Sequence, residues 1–384
     1  MSDLRVAVDA SRVRSGGGVA HLVGILDIDE PAIFGIKEIH VWAYQALLDA
    51  LPAKPWLIKH HPPETEMNLL RQVVWQAFRL EREIQAAGCH ILFTADASTF
   101  CRFKPMVVLS QNMLPYDDGM VKVFGLSKNR LQQNFIYQVQ KRAFSFAQGV
   151  VFLTNHAATQ IQKHTGRLAD FKVINHGVNE VFKKTTSHTE WPAQGQRAIR
   201  CIYVSPIWEY KFQWVVVRAI KQLRDKGYNV NLAIVGGGGA RAKKMLSQQI
   251  AISDPNGQFV TVDEFLPHNE IPQLIAQSDV FVFASGCETF GISLLEAMAI
   301  GVPIASSDRS SLPETLRDGG VYFDPENDDS IASAIEQLII DPTLRVAKSQ
   351  RAKALSAEYS WQRCADETWR YVAHTYDRYT GRTA

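Results

Sequence analysis

Residues 279–308 read DVFVFASGCETFGISLLEAMAIGVPIASSD, and this stretch decides the fold. DVFVFAS is a short run rich in β-branched and aromatic residues, the pattern of a strand buried on both faces. GCET follows as a turn at its carboxyl end. FGISLLEAMAIG is a helix-like apolar run closed by Gly301. VPIASSD is a second short strand. Strand, helix and strand within about thirty residues make one parallel βαβ unit. Two features do not suit a plain core helix. Glu288 stands at its mouth with Glu296 two turns inside, and Gly291 sits where the helix should begin.

The same alternation extends in both directions. Upstream lie LRVAVDA, CHILFTA, PMVVLSQ, GVVFLT and FKVINHG, separated by helical candidates at 67–87 and 128–148. A second series runs RCIYVSP, VNLAIVGGGG, QFVTVDEFL, DVFVFAS, VPIASSD and GGVYFDP, with helical stretches at Gln213–Lys226 and Ala240–Ile252 between its strands. Between the two series, KKTTSHTEWPAQGQRAIR (183–200) is polar, aperiodic and contains Pro and Gly, which marks a linker. The fold class expected is α/β, with two doubly wound parallel-sheet domains. Ligands of such sheets bind at the carboxyl ends of the strands, so a cleft between the domains is the expected site.

Composition excludes several classes. With 384 residues the chain exceeds one ordinary core, and 46% hydrophobic with 21% charged residues describes a globular protein. A net charge of +2 argues against nucleic acid as a partner. The five cysteines are scattered with no C-x-x-C pair, which suits a reducing cytosol and gives neither a disulfide framework nor a zinc site. No signal peptide is visible, and no apolar run approaches the roughly 20 residues that span a bilayer. The expected location is cytoplasmic.

A helix N-terminus presents unpaired N–H groups and a partial positive charge, and a glycine there lets a ligand come close. At 1.5 Å per residue, Glu296 would lie about 12 Å along the axis from Glu288, roughly the span of a diphosphate carrying a sugar at each end. A diphosphate over Phe290, Gly291 and Ile292 would then leave one sugar near Glu288 and a ribose near Glu296. Spacing alone is equally consistent with a helix-capping acid and a satisfied surface glutamate. Gly16, Gly17 and Gly18 follow the first strand and are open either to a phosphate or to a tight turn. Asp117 and Asp118 read as a solvated pair, and no metal-ligand cluster stands out. The dinucleotide fingerprint G-x-G-x-x-G fails at both glycine runs, since His21 and Arg241 occupy its last position.

The order E-T-F-G-I-S-L-L-E-A-M-A-x-G-x-P-I strongly resembles the retaining nucleotide-sugar glycosyltransferases of the GT-B fold, the large fourth family. RVAVDASRVRSGGGVAHL, VINHGVNEVF, IYVSPIWEYKFQWVVVRAIKQL, LAIVGGGG and EYSWQRCADETWRYV resemble that family's other landmarks in the same order. The resemblance implies an acceptor-binding domain over 1–187, a donor-binding domain over 188–355, and a terminal helix within 356–384 that crosses back. It implies that Glu288 faces the transferred sugar and that Glu296 bonds the ribose hydroxyls. Backbone groups at Phe290, Gly291 and Ile292 would hold the diphosphate, and Lys211 would neutralise the departing phosphate. Gly17 and Gly18 would approach the donor, and Phe265 and Leu266 in VDEFLP would lie where the base is read. Asn112 and His21 would face the sugar or acceptor. The family usually has an arginine five residues before the lysine, but Pro206 stands there. Asn112 and Gln111 stand where many relatives carry a histidine.

The implied activity is transfer, with retention, of a hexosyl or deoxyhexosyl unit from a nucleotide-diphosphate sugar to a glycan or lipid-linked acceptor in bacterial surface polysaccharide synthesis. GDP-mannose is favoured as donor ahead of UDP-hexoses and dTDP-rhamnose. No cofactor and no metal is expected. Rival readings are an epimerase or phosphorylase of the same fold, and a sugar-nucleotide-binding protein without turnover. Residues 67–87 and 121–142 combine basic and aromatic side chains, so peripheral contact with the inner face of a membrane is a further expectation.

Overall fold

The computed structural model describes residues 3–14, 16–187, 191–192 and 196–381. Thirteen named strands in the described residues fall into two all-parallel sheets. The first holds β1 (Leu4–Asp9), β2 (Ile36–Trp42), β3 (Leu57–His60), β4 (Ile91–Thr94), β5 (Met106–Ser110), β6 (Gly149–Phe152) and β7 (Phe171–Val173) in the order β3-β2-β1-β4-β5-β6-β7. The second holds β8 (Ile199–Val204), β9 (Val230–Val235), β10 (Val260–Asp263), β11 (Val280–Phe283), β12 (Ile304–Ser307) and β13 (Val321–Phe323) in the order β10-β9-β8-β11-β12-β13. Central strands such as β4, β5 and β11 are buried along their whole length, as strands covered on both faces must be.

Each sheet reverses its winding beside its first strand. In the first the switch lies between β1 and β4, and in the second between β8 and β11. The loops leaving the carboxyl ends of such a strand pair diverge and open a crevice. In the second sheet those loops are 205–212 and 284–291, the segments that contain Lys211 and Glu288.

The chain divides into one unit of Met1–Gly177 with Ser360–Ala384, and a second of Val178–Tyr359. The division thus falls earlier than the expected linker, of which residues 188–190 and 193–195 lie outside the described residues. The reason is the helix Glu180–Lys184. Its Phe182 is fully buried, it packs on the helix Ile292–Ile300, and its ring meets His268 edge-on, so these residues belong to the second unit.

The terminal helix Trp361–Thr380 belongs to the first unit. Trp369 Nε1 donates to the Ile25 carbonyl at 2.6 Å, and Tyr371 OH donates to Asp170 at 2.8 Å. The backbone of Gly177 lies so close to the helix start that a Cβ there would sit 2.1 Å from Trp361 N. The preceding helix Pro342–Ser356 stays in the second unit.

Candidate active site

The helix after β11 begins at Ile292 and ends at Ile300, with Gly291 as its N-cap and Gly301 closing it in the left-handed region. Gly291 has φ 92°, a conformation that demands glycine, and a Cβ there would lie 2.9 Å from Leu312 Cδ2. No side chain caps this helix. Its first N–H groups therefore point out of the carboxyl end of the sheet, the arrangement that favours an anion. Because Glu288–Gly291 is a loop and not a helical turn, the axial spacing expected between Glu288 and Glu296 does not apply.

Glu288 stands at the mouth of the helix, and its carboxylate forms an ion pair with Lys211. Lys211 is only 6% exposed. It closes a short 3-10 turn, Glu209–Lys211, after β8, and its ammonium lies 5.2 Å from the Tyr210 ring centroid and 5.5 Å from that of Phe283. The two loops of the switch point are also joined through backbone, since Gly286 N–H donates to the Tyr210 carbonyl at 2.7 Å. Tyr203 OH, from β8, donates to the Lys211 carbonyl at 2.6 Å. The result is a positive charge held under aromatic rings, a carboxylate facing it, and an uncapped helix beside both.

Glu296 lies within the helix and is 7% exposed. Burial raises its pKa above the ordinary carboxylate value, and His268 opposes that rise from 3.5 Å. The same contact, through hydrogen bonding to Glu296, raises the pKa of His268. Phe265 is 84% exposed and Leu266 is half-buried, both in the loop after β10.

Residues 187–355 match the family described as glycosyl transferases, group 1. The second unit is a group 1 glycosyl transferase domain. A 104-residue stretch is 36% identical to O-antigen chain mannosyltransferase B of Escherichia coli, covering 27% of each chain. A GDP-mannose-dependent alpha-(1-6)-phosphatidylinositol monomannoside mannosyltransferase of Mycolicibacterium smegmatis is 30% identical over 164 residues, 40% of this chain and 41% of that one. The matched stretches span between 27% and 54% of the length of such curated relatives. Sucrose-phosphate synthase from Thermosynechococcus elongatus superposes with a TM-score of 0.76 over 99% of this chain and 100% of that one, at 15% identity. The fold is GT-B, built of two Rossmann-like parallel-sheet units.

The glycosyl transferase domain gathers Glu288, Lys211, Phe290, Gly291, Ile292 and Glu296 around one switch point. Phe265 and Leu266 lie in the same unit, and the other expected residues belong to the first. Gly17 and Gly18 open its helix Gly17–Leu26 after Gly16, which has φ 62°. Gly18 is closed over by the Gln111 side chain, 2.9 Å from where a Cβ would stand, and so offers less open backbone than the sequence suggests. Asn112 accepts from Leu114 N–H at 3.1 Å and so shapes its own turn.

His21 does not stand where a sugar-facing side chain would. It is fully buried, 3.2 Å from His176 and edge-on to Trp361, and burial lowers its pKa to about 3. Asp117 caps the helix Asp118–Val123. Among the described residues no group of three or more His, Cys, Asp or Glu side chains is placed to hold a metal.

Sequence reasoning missed two kinds of residue. His268 directly follows VDEFLP, a signal that was available. Ser310, Ser311 and Thr315 contact the backbone around Glu288, and nothing in their spacing announces it.

Proposed function

We propose that this protein is a retaining glycosyltransferase. It moves a hexosyl or deoxyhexosyl unit from a nucleotide-diphosphate sugar to a glycan or lipid-linked hydroxyl, in the synthesis of bacterial surface polysaccharide. The observation that carries the reading is the Lys211–Glu288 pair beside an uncapped helix N-terminus at the switch point of the glycosyl transferase domain. Breaking a sugar–phosphate bond places positive charge on the sugar ring and negative charge on the leaving phosphate. Groups aimed at that growing negative charge stabilise the transition state more than the ground state. The helix N-terminus and Lys211 supply them, while Glu288 orients the sugar. Front-face attack, with the leaving phosphate taking the acceptor proton, fits this set of groups, since it requires no second carboxylate as nucleophile.

GDP-mannose is the donor we favour. The support is the naming of two relatives as mannosyltransferases, one of them GDP-mannose-dependent. Charge neutralisation by Lys211 and the helix leaves no task for a metal, so activity in excess chelator is expected. The test is a panel of GDP-, UDP- and dTDP-sugars scored for hydrolysis, for transfer and for thermal stabilisation, with the product anomer read by NMR. Consumption of GDP-mannose with an α product supports the reading. Interconversion of sugar nucleotides without any acceptor, or loss of activity in chelator with rescue by magnesium, overturns it.

A further inference from the structure

Glu288 is held at both ends. Its carboxylate meets Lys211, while its backbone N–H and carbonyl are gripped by the connection that follows β12. Ser310 Oγ accepts from Glu288 N–H at 2.9 Å and donates to the Glu288 carbonyl at 2.8 Å. Ser311 Oγ donates to the same carbonyl at 2.8 Å, using its second lone pair. Two residues on, Thr315 Oγ1 lies 3.1 Å from the Phe290 carbonyl. Three hydroxyls from one short segment thus fix the backbone on both sides of Thr289.

The geometry of Ser310 itself marks the device. It is one of three non-glycine residues with positive φ among the described residues, at 60°. A residue with a Cβ is rarely held in the left-handed region unless its surroundings over-determine it. Here that conformation turns the hydroxyl so that it closes a two-bond clamp on the N–H and the carbonyl of one residue. Ser307 adds a brace, since its Oγ accepts from Arg309 N–H at 3.1 Å and shapes the turn leading into Ser310.

We propose that Ser310, with Ser311, is a positioning residue for Glu288. The clamp fixes where the carboxylate stands relative to Lys211 and to the helix mouth, so that Glu288 presents one geometry to the donor sugar. This rests on the reading of Glu288 given above. A carboxylate on a mobile loop would lose alignment in the transition state far more than it would lose donor affinity.

The experiment is Ser310→Gly, which keeps the left-handed backbone without strain and removes the hydroxymethyl group that makes both bonds to Glu288. The expected result is an unchanged melting temperature, donor KM within about twofold, and kcat down by about tenfold. Combined with Glu288→Gln, Ser310→Gly should cost nothing further, because two residues acting as a unit are not additive. Wild-type kcat in Ser310→Gly while Glu288→Gln is slow overturns the clamp and spares the reading of Glu288. Normal turnover by Glu288→Gln overturns that reading first, and the clamp with it. An equal fall from Ser310→Gly in both backgrounds shows that Ser310 acts on something other than Glu288, and also overturns the proposal.

Discussion

Lysine is an unusual residue to bury, and Lys211 has three surroundings that make it tolerable. Glu288 neutralises it, the Tyr210 and Phe283 rings face it, and its own turn is pinned by Tyr203. Removing one partner of such a pair leaves the other charge poorly solvated. Glu288→Gln is therefore expected to lower kcat by about a hundredfold with nucleotide affinity changed less than about threefold, because orientation counts in the transition state. Lys211→Ala should lower kcat as well, since phosphate charge grows as the bond breaks. Steady-state kinetics with isothermal titration of the free nucleotide separates the two effects, and a Lys211→Ala enzyme altered only in KM refutes its catalytic assignment.

The Glu296–His268 contact gives a second test. His268 has its pKa raised by Glu296, so while Glu296 stays ionised the pairing is present below about pH 6.5, the ordinary histidine value, and is lost as pH climbs through the raised value. The imidazole is largely exposed, so the effect is small. Wild type should melt about 2 °C above His268→Asn near pH 6 and level with it by about pH 9. A pH-independent gap in melting temperature contradicts the pairing.

At the scale of elements, all six strands of the second sheet stand where the sequence places them. They are short and largely apolar, and a strand covered on both faces advertises itself. β2 and β3 escaped notice, because IKEIHVW and LIKH carry charge along one flank of the sheet. That charge is satisfied by neighbours no periodicity reveals. Glu38 meets Arg5 at 2.8 Å, His40 bonds His60 at 3.0 Å, and Trp42 stacks on His60 at 4.3 Å. The site divides in the same way. Glu288 and Lys211 are legible because their chemistry lies in their side chains, whereas Ser310 and His268 count only through what tertiary folding brings beside them.

Glycines show the limit well, since their sequence context does not say which are tight. Gly16 has positive φ but open space, and Gly177 is jammed against the backbone of Trp361. Gly16→Ala should cost about 1 kcal/mol. Gly177→Ala should cost about 3 kcal/mol or more by prising off the terminal helix. Urea unfolding measures both, and limited proteolysis within Trp361–Thr380 should rise only in the second. Equal costs would mean that the terminal helix docks independently of Gly177.

At the scale of the whole molecule, a net charge of +2 conceals an uneven surface on the first unit. Its helices Leu69–Phe78 and Lys128–Phe146 contain no acidic residue. Along the first, Leu70, Val74 and Phe78 recur every fourth residue at 72%, 49% and 69% exposure, an exposed apolar stripe. Leu126 just before the second, and Leu131 and Phe135 in its first half, are exposed as well. Two residues expected to join such a face do not, because Trp75 bonds Glu83 and is buried, and Phe124 is buried as well. The described residues include no helix long and apolar enough to cross a membrane.

Exposed apolar side chains on helices that carry cations and no acidic residue match the chemistry of an anionic lipid surface, where each basic residue contributes about 1 kcal/mol near the headgroups. We therefore expect the protein to float with vesicles of phosphatidylcholine containing phosphatidylglycerol and to stay down with phosphatidylcholine alone. Raising the salt should weaken binding through the cations. Lys128→Gln with Arg130→Gln should remove most of the salt dependence, and Leu70→Ser with Phe78→Ser should abolish binding that survives high salt. Equal flotation with both vesicle types would deny the electrostatic part, and absence of flotation from either would leave the stripe as a surface for a protein partner.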